Sequence, residues 1–350
     1  MIEGRINLYS DTQTRPTRAM KEAMINAPIG DEQHGLDPSV SKLCAMVADL
    51  LGKEAAVFLP SGTMCNELAI LVHCRPGDEV YADRTTHIIN SEGGGPAALS
   101  GVSTFPLDGE RGMFSATQLK AAIRKESRYT PRPKLVVFEQ TANFSGGAVW
   151  PLETMQACSA VARERGLAVH IDGARLMNAV VASGVDAKAY AACADSVWID
   201  LTKGLGCPLG AVLAGSAEFI YEVWRWKQRI GGALRQAGMS AAAGIYALEN
   251  NIDRLADDHA NAQRLAEIVT AVDGVEILGG IIETNLVFMD VAGTGLDAPT
   301  ISKALEAKGV NIGAFGSTIL RAVTHLDISA AQIEEAGVIF AETVRVLREN

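Results

Sequence analysis

His170-Ile171-Asp172-Gly173-Ala174-Arg175 and, further on, Asp200-Leu201-Thr202-Lys203-Gly204-Leu205-Gly206 are the two stretches that decide how this chain is read. Each closes a short apolar run, Leu167–Asp172 and Ser196–Leu201. Runs apolar on both faces and bounded by turn residues suit strands buried in a parallel sheet. Ligands of open α/β sheets bind beyond the carboxyl ends of the strands, so Asp172 and Lys203 fall where chemistry is expected. A carboxylate there can pair with a pyridinium nitrogen and keep it protonated. A lysine followed by glycines can form a Schiff base with an aldehyde. Asp172 and Ala174 share one face of an extended segment, so an acid and a methyl can meet the edge and the flat side of one ring. Taken singly, a strand-end Asp or Lys is most often half of a surface ion pair. Together, in this order, they make the minimum kit of a pyridoxal-phosphate (PLP) enzyme.

Working outward, further apolar runs at Ala55–Leu59, Glu79–Ala82, Lys134–Glu139 and Gly210–Ala214 alternate with helical patterns at Ser39–Leu51, Thr63–His73, Ser115–Lys125 and Leu152–Arg165. Ser39 and Ser115 are the expected N-caps. The alternation predicts an α/β fold with a mostly parallel central sheet. From Gly238 the pattern changes: Ser240–Ala271 reads as one long helix or two joined. A strand (Asn285–Val291), a helix (Thr300–Lys308), short strands at Val310–Ile312 and Ile319–Val323, and a helix from Ser329 follow. This divides the chain into a large PLP-binding domain over 6–240 and a linking helix with a small α/β domain over 241–350. Ile2-Glu3-Gly4-Arg5 spells a protease recognition site, so residues 1–5 are set aside as a tag remnant.

Composition narrows the classes. The 350 residues are 48% hydrophobic and 21% charged, which excludes global disorder, and the net charge is −10. An acidic surface repels phosphate backbones and anionic lipids, so neither nucleic acid nor membrane is expected as a partner. The six cysteines are scattered without paired spacing, as in a reduced, cytoplasmic protein. No apolar run is long enough to span a bilayer. The six histidines form no ligand cluster, so no metal is expected.

Other segments fit the same ligand. Pro60-Ser61-Gly62-Thr63 stands between a strand and a helix, where N–H groups can meet an anion. Gly231-Gly232-Ala233-Leu234-Arg235 carries a loop arginine suited to a phosphate, and His87, ahead of Glu92-Gly93-Gly94-Gly95, is suited to stacking on a ring.

These residues resemble the threonine aldolase family of PLP enzymes, the β-eliminating lyase group of the aspartate-aminotransferase fold (PLP fold type I). The resemblance runs through Ser10–Thr17, Gly30-Asp31, Gly35–Pro38, Pro60–Thr63, His87 with Glu92, Asp172–Arg175, Lys203–Gly206, Arg235–Gly238 and Leu320–Ser329. It implies that Lys203 carries PLP, that Asp172 pairs with the pyridinium and that His87 stacks on the ring. Gly62, Thr63 and Arg235 would hold the phosphate, Arg235 from a neighbouring subunit, while Ser10, Arg175 and Arg321 bind the substrate carboxylate. The implied reaction cleaves a β-hydroxy-α-amino acid to glycine and an aldehyde, in a homodimer or homotetramer with its site at the subunit interface.

Two positions depart from the family pattern. Glu139-Gln140-Thr141-Ala142-Asn143 has Ala142 where the family commonly has a His at the substrate hydroxyl, and His34 stands in place of a Tyr. The expectation is a bulkier, phenylserine-like substrate, with His34 as a candidate catalytic base beside Lys203, His87 and Asp172. The competing readings are another PLP chemistry, such as β-elimination or transamination, and a non-catalytic relative. A nicotinamide enzyme is a third, but its motif at Gly293–Ala298 is followed at once by Pro299 and lies in the late domain.

Overall fold

A computed structural model describes residues 5–349. Of the expected tag remnant, residues 1–4 lie outside the described residues, and Arg5 pairs with Glu306 at 3.0 Å. The large sheet has strands β1 (Ala55–Leu59), β2 (Asp78–Asp83), β3 (Ser103–Leu107), β4 (Arg132–Glu139), β5 (Ala168–Asp172), β6 (Ser196–Asp200) and β7 (Ala211–Gly215). Their order is β1-β7-β6-β5-β4-β2-β3. Strand β7 runs antiparallel to both neighbours, and the other pairings are parallel. The doubly apolar runs are therefore what they resembled: β4, β5 and β6 are buried along most of their length between layers of helices. Strand β3 carries no such signal. It lies at the sheet edge, where Pro106 gives up a ladder hydrogen bond at little cost.

Helices α1 (Pro38–Leu51), α2 (Gly62–His73) and α3 (Leu152–Glu164) connect strands of this sheet or pack on it. The cap of α1 differs from expectation. Pro38 takes the first helical position, so the capping side chain is Asp37, whose Oδ1 accepts from the N–H groups of Ser39 and Val40 at 3.1 Å. Ser39 instead donates its hydroxyl to the Pro28 carbonyl. Ser115 caps its helix as expected, in a reciprocal pair with Gln118. The long helical run is two helices, α4 (Gly238–Asn250) and α5 (Leu255–Thr270), broken over residues 251–254.

A second sheet pairs Gly313–Ala314, Ile319–Val323, Leu286–Asp290 and Glu276–Ile277 antiparallel. Together with α5, α6 (Ala298–Ala307) and α7 (Ala330–Glu349), it encloses a core that includes Val287, Met289, Leu320 and Phe340. Two segments cross the expected boundary at 240/241. Ile6 and Leu8 belong to this second core, through the parallel pairing of Ile6–Asn7 with Val310–Asn311. Ala241, Ala243 and Ala247 of α4 belong to the first. A division into two independently stable units at 240/241 is thus a proposal about folding.

Candidate active site

Strand register sets the site. Glu139 at the end of β4 pairs with Asp172 at the end of β5, and β6 ends beside them at Asp200. Glu139 and Asp172 therefore lie side by side at the carboxyl edge, with Asp200 at the end of the next strand. Asp172 is 1% exposed, so its charge must be held by hydrogen bonds. Its Oδ1 accepts from the Ala174 N–H at 3.0 Å and its Oδ2 from the Asn66 amide at 2.8 Å. Burial and the neighbouring Glu92 push its carboxyl upward, while His87, Asn66 and Lys203 pull the other way.

Asn66, on α2, is oriented by its own partners. Its Oδ1 accepts from Trp198 Nε1 at 2.7 Å and lies 3.1 Å from His170 Nε2. Its Nδ2 is left to donate to both Asp172 and, at 2.7 Å, Glu92. His87 Nδ1, Glu92 and Asp172 offer atoms within 4.8 Å of one another, close enough for a cation. The Asn66 amide stands between the two carboxylates and donates to each, filling that role with hydrogen bonds.

His87 joins the cluster from the turn after β2. Its Nδ1 lies 2.8 Å from Glu92 Oε1, and its backbone N–H donates to Glu139 Oε2 at 2.5 Å. The Glu92 bond raises the imidazole pKa, helped by Asp172, Glu92 and Glu139 charges against the effect of burial. Burial and Asp172 push Glu139 up to about 7.

Lys203 Nζ lies 2.6 Å from Asp200 Oδ2 and 5.9 Å from the Trp198 ring. Lys203 has φ +49, a left-handed backbone disfavoured for a side chain with a Cβ. Thr14 holds it there by donating to the Lys203 carbonyl at 2.8 Å. Gly62 opens α2, capped by Ser61, whose hydroxyl accepts from the Met64 N–H. Helix geometry leaves the Gly62 and Thr63 N–H groups for an anion. A Cβ at Gly62 would stand 2.2 Å from the Trp198 ring, so no larger residue fits without moving the indole.

Arg175 is 5% exposed and gripped by Asp11 through two bonds of 2.7 and 2.8 Å, with Nη1 3.3 Å from Asn143 Oδ1. This pairing holds the Asp11 carboxyl well below the usual range despite burial. Asn285 donates to the same Asp11. Burial and the nearby Arg175 charge push Arg321 below its ordinary value, and its Nη2 donates to the Tyr9 carbonyl at 3.4 Å. Arg175 is thus paired with a buried carboxylate, while Arg321 has a backbone carbonyl as its hydrogen-bond partner and a guanidinium suited to a further carboxylate. Ser10 is buried beside them, its hydroxyl accepting from the Thr12 N–H and hydroxyl.

His34 and Arg235 do not join this cluster by any hydrogen bond among the described residues. Both sit on Asp31, His34 Nδ1 at 3.0 Å and Arg235 Nη1 at 3.1 Å, with their side chains 70% and 58% exposed. Ala142 is buried with Gly112 and Ser145 against it, so its methyl lies within packed structure. Partners that the sequence does not announce are Asp11 for Arg175, Asn66 for Asp172 and Asp200 for Lys203. Two cavities lie away from this cluster: one of about 570 Å³ lined by His73, Arg75 and Trp226, another of about 600 Å³ by Trp150 and Tyr190.

A buried acid for a ring nitrogen, an amine for an aldehyde and a helix start for a phosphate are the donor set that PLP requires, and these residues fit it. A family model described as beta-eliminating lyase matches residues 7–293. The chain belongs to the beta-eliminating lyase family. Within that family it is 42% identical over 333 residues to the low specificity L-threonine aldolase of Escherichia coli K12, covering 95% of this chain and 97% of the relative. It is 37% identical to low-specificity L-threonine aldolase 1 of Arabidopsis thaliana, covering 100% and 99%. The Leishmania major threonine aldolase structure shares the fold, with a TM-score of 0.83 at 20% identity over 97% and 99% of the two chains. The expected PLP fold type I is therefore the fold of this lyase. None of its described helices is long and apolar enough to cross a membrane.

Proposed function

We propose that this lyase is a PLP-dependent aldolase that cleaves the Cα–Cβ bond of β-hydroxy-α-amino acids, releasing glycine and an aldehyde. The observation that carries the reading is the placement of buried Asp172 at the end of β5 and of Lys203 in the turn just after β6, near the charged groups of Arg175, Asp11 and Arg321. The full-length likeness to low specificity L-threonine aldolases supports it. Bound PLP supplies an aldehyde for the substrate amine and a ring that withdraws electrons from bonds at Cα. Lys203 is the amine that holds it, and Asp172, braced by Asn66, keeps the ring nitrogen protonated. His87 would cover the ring, and the Gly62–Thr63 helix start would take the phosphate.

Reaction choice rests on the carboxylate clamp. Arg321, Ser10 and the outer edge of Arg175 would bind the substrate carboxylate and so orient the bonds at Cα, selecting Cα–Cβ for cleavage. The β-hydroxyl proton then needs a base. His87 and His34 are each held at Nδ1 by a carboxylate, Glu92 and Asp31, and His34 differs in its exposure, which leaves its Nε2 open to a proton from a substrate bound at another surface. We place His34 and Arg235 at the site of a neighbouring copy, His34 as the base and Arg235 on the phosphate, in a homodimer or homotetramer in the cytoplasm.

A phenylserine-like substrate is the finer reading. Support comes from Phe144, next to Asn143 at Arg175. It stacks on Phe315 with ring centroids 5.1 Å apart, and Phe315 follows Ala314, the strand partner of Leu320 beside Arg321. An aromatic wall thus stands beside the proposed carboxylate clamp, and buried Ala142 contributes packing. Measuring glycine and aldehyde release from threonine, allo-threonine and phenylserine tests both levels. Release from none of them overturns the aldolase, and a higher kcat/KM for threonine than for phenylserine overturns the aryl preference.

A further inference from the structure

Behind His87 lies a second acidic contact that the proposed reaction does not use. Glu67 projects from α2, one residue beyond Asn66, and is 4% exposed. Its carboxyl lies within hydrogen-bonding reach of Glu92. Both Glu67 oxygens and Oε2 of Glu92 are buried without a donor from any other group. The room for this carboxyl comes from Gly95, where a Cβ would lie 1.9 Å from Glu67 Oε1. Two carboxylates in contact and shut away from water cannot both be ionised at modest cost, and one proton between them removes the conflict.

We propose that Glu67 and Glu92 share a single proton, donated by Glu67, and that Glu67 is thereby a positioning residue that fixes the charge and the Nδ1 hydrogen bond of His87. No bond to carbon changes; the mobile species is one proton between two oxygens. With Glu67 neutral and donating, Glu92 stays anionic and keeps Oε1 for His87 and the Asn66 amide, which lie at 2.8 and 2.7 Å. Burial and Glu92 push the Glu67 carboxyl up to about 8. The charged groups in play are Glu92 facing Glu67, His87 and Asp172 facing Glu92, Glu139 and Asp172 facing His87, and Lys203 facing Asp172. Loss of the shared proton places a second negative charge behind the imidazole and tightens its hold on its own proton. The role deepens the aldolase reading and rests on it where His87 acts at the cofactor, but the shared proton itself does not.

The test uses the holoenzyme, Glu67→Gln and Glu67→Leu, in two arms. Infrared difference spectra, wild type minus Glu67→Gln, should show the carbonyl stretch of a protonated carboxyl that fades as pH passes about 8. Absence of that band overturns the shared proton, whether or not any substrate is cleaved. In the second arm, the alkaline inflection of kcat/KM near pH 8 should vanish in Glu67→Gln. The amide of this variant donates permanently and preserves the neutral-pH rate. Glu67→Leu, which leaves Glu92 Oε2 unpaired, should lose about tenfold at every pH. Superimposable pH profiles for wild type and Glu67→Gln overturn the positioning role. Gly95→Ala should lower activity in the wild type and have no further effect beside Glu67→Ala; equal effects in both backgrounds would show that Glu67 does not occupy that space.

Discussion

The carboxyl edge around Asp172 and the exposed turn around Asp31 both assemble a carboxylate with a histidine and a cation, yet they are built to opposite specifications. At Asp172 every polar partner has a partner of its own, back through Asn66 to Trp198 and His170. At Asp31 a single carboxylate serves both His34 and Arg235, whose side chains stand largely in solvent. Buried groups must be satisfied within the chain, since an unmet hydrogen bond there costs about 1–3 kcal/mol. Exposed groups can wait for another surface. The difference teaches that the groups around Asp172 are satisfied within the chain, whereas those on Asp31 keep free faces toward solvent, which is what the proposed role of His34 and Arg235 at a neighbouring copy requires.

The strongest challenge to that contrast is Lys203→Ala. It should abolish turnover by about 10³-fold or more, as removal of a covalent catalyst does, and remove the visible absorbance of the purified protein. Substantial retained activity, with colour, breaks the assignment. Arg321→Ala comes next. Loss of one guanidinium from a substrate carboxylate costs about 2–5 kcal/mol, roughly 30- to 4,000-fold in kcat/KM. An unchanged kcat/KM would place the substrate elsewhere.

His34→Phe sharpens the other side. If the exposed cluster acts in a partner's site, kcat should fall by about a hundredfold with KM little changed, the size expected of a positioned base. A kcat within a few-fold of wild type would leave His34 as a surface residue. The smallest effect is on stability. Glu139 and Glu67, raised to about 7 and about 8, bind protons more tightly folded than unfolded. Their contribution is complete below about 4.5 and is lost as pH rises through about 8. His73, His170 and His259, lowered to about 4, about 3 and about 4, contribute fully above about 6.5 and lose that contribution as pH falls. The melting temperature should therefore peak near pH 6 to about 6.5. A steady rise up to about pH 9 would contradict the protonation of the two buried acids.

The sheet was legible because β4, β5 and β6 are apolar on both faces and end in turn residues, a pattern with few alternative readings. Edge strand β3 was not, because Pro106 and its exposed positions follow the edge rather than the core. Asp172 and Lys203 were visible for the same topological reason, as side chains at strand ends. What held them was not. Asp11 reaches Arg175 across 164 positions and Asn66 reaches Asp172 across 106, and nothing local marks such pairs. Glu67 did leave a trace: a carboxylate inside the apolar run from Cys65 to Val72 asks for a buried partner. His34 shows the converse limit, since its place in a motif says nothing about which chain it serves.

Trp198 has an optical consequence. Its indole touches the space above Gly62, donates to Asn66 and lies 5.9 Å from Lys203 Nζ. Any chromophore seated on that amine stands almost in contact with an excited indole, near enough to drain its emission before a photon leaves. If Lys203 holds the cofactor as proposed, the share of the emission that Trp198 contributes among the four tryptophans should dim on loading, so binding could be followed in ultraviolet light without an added label.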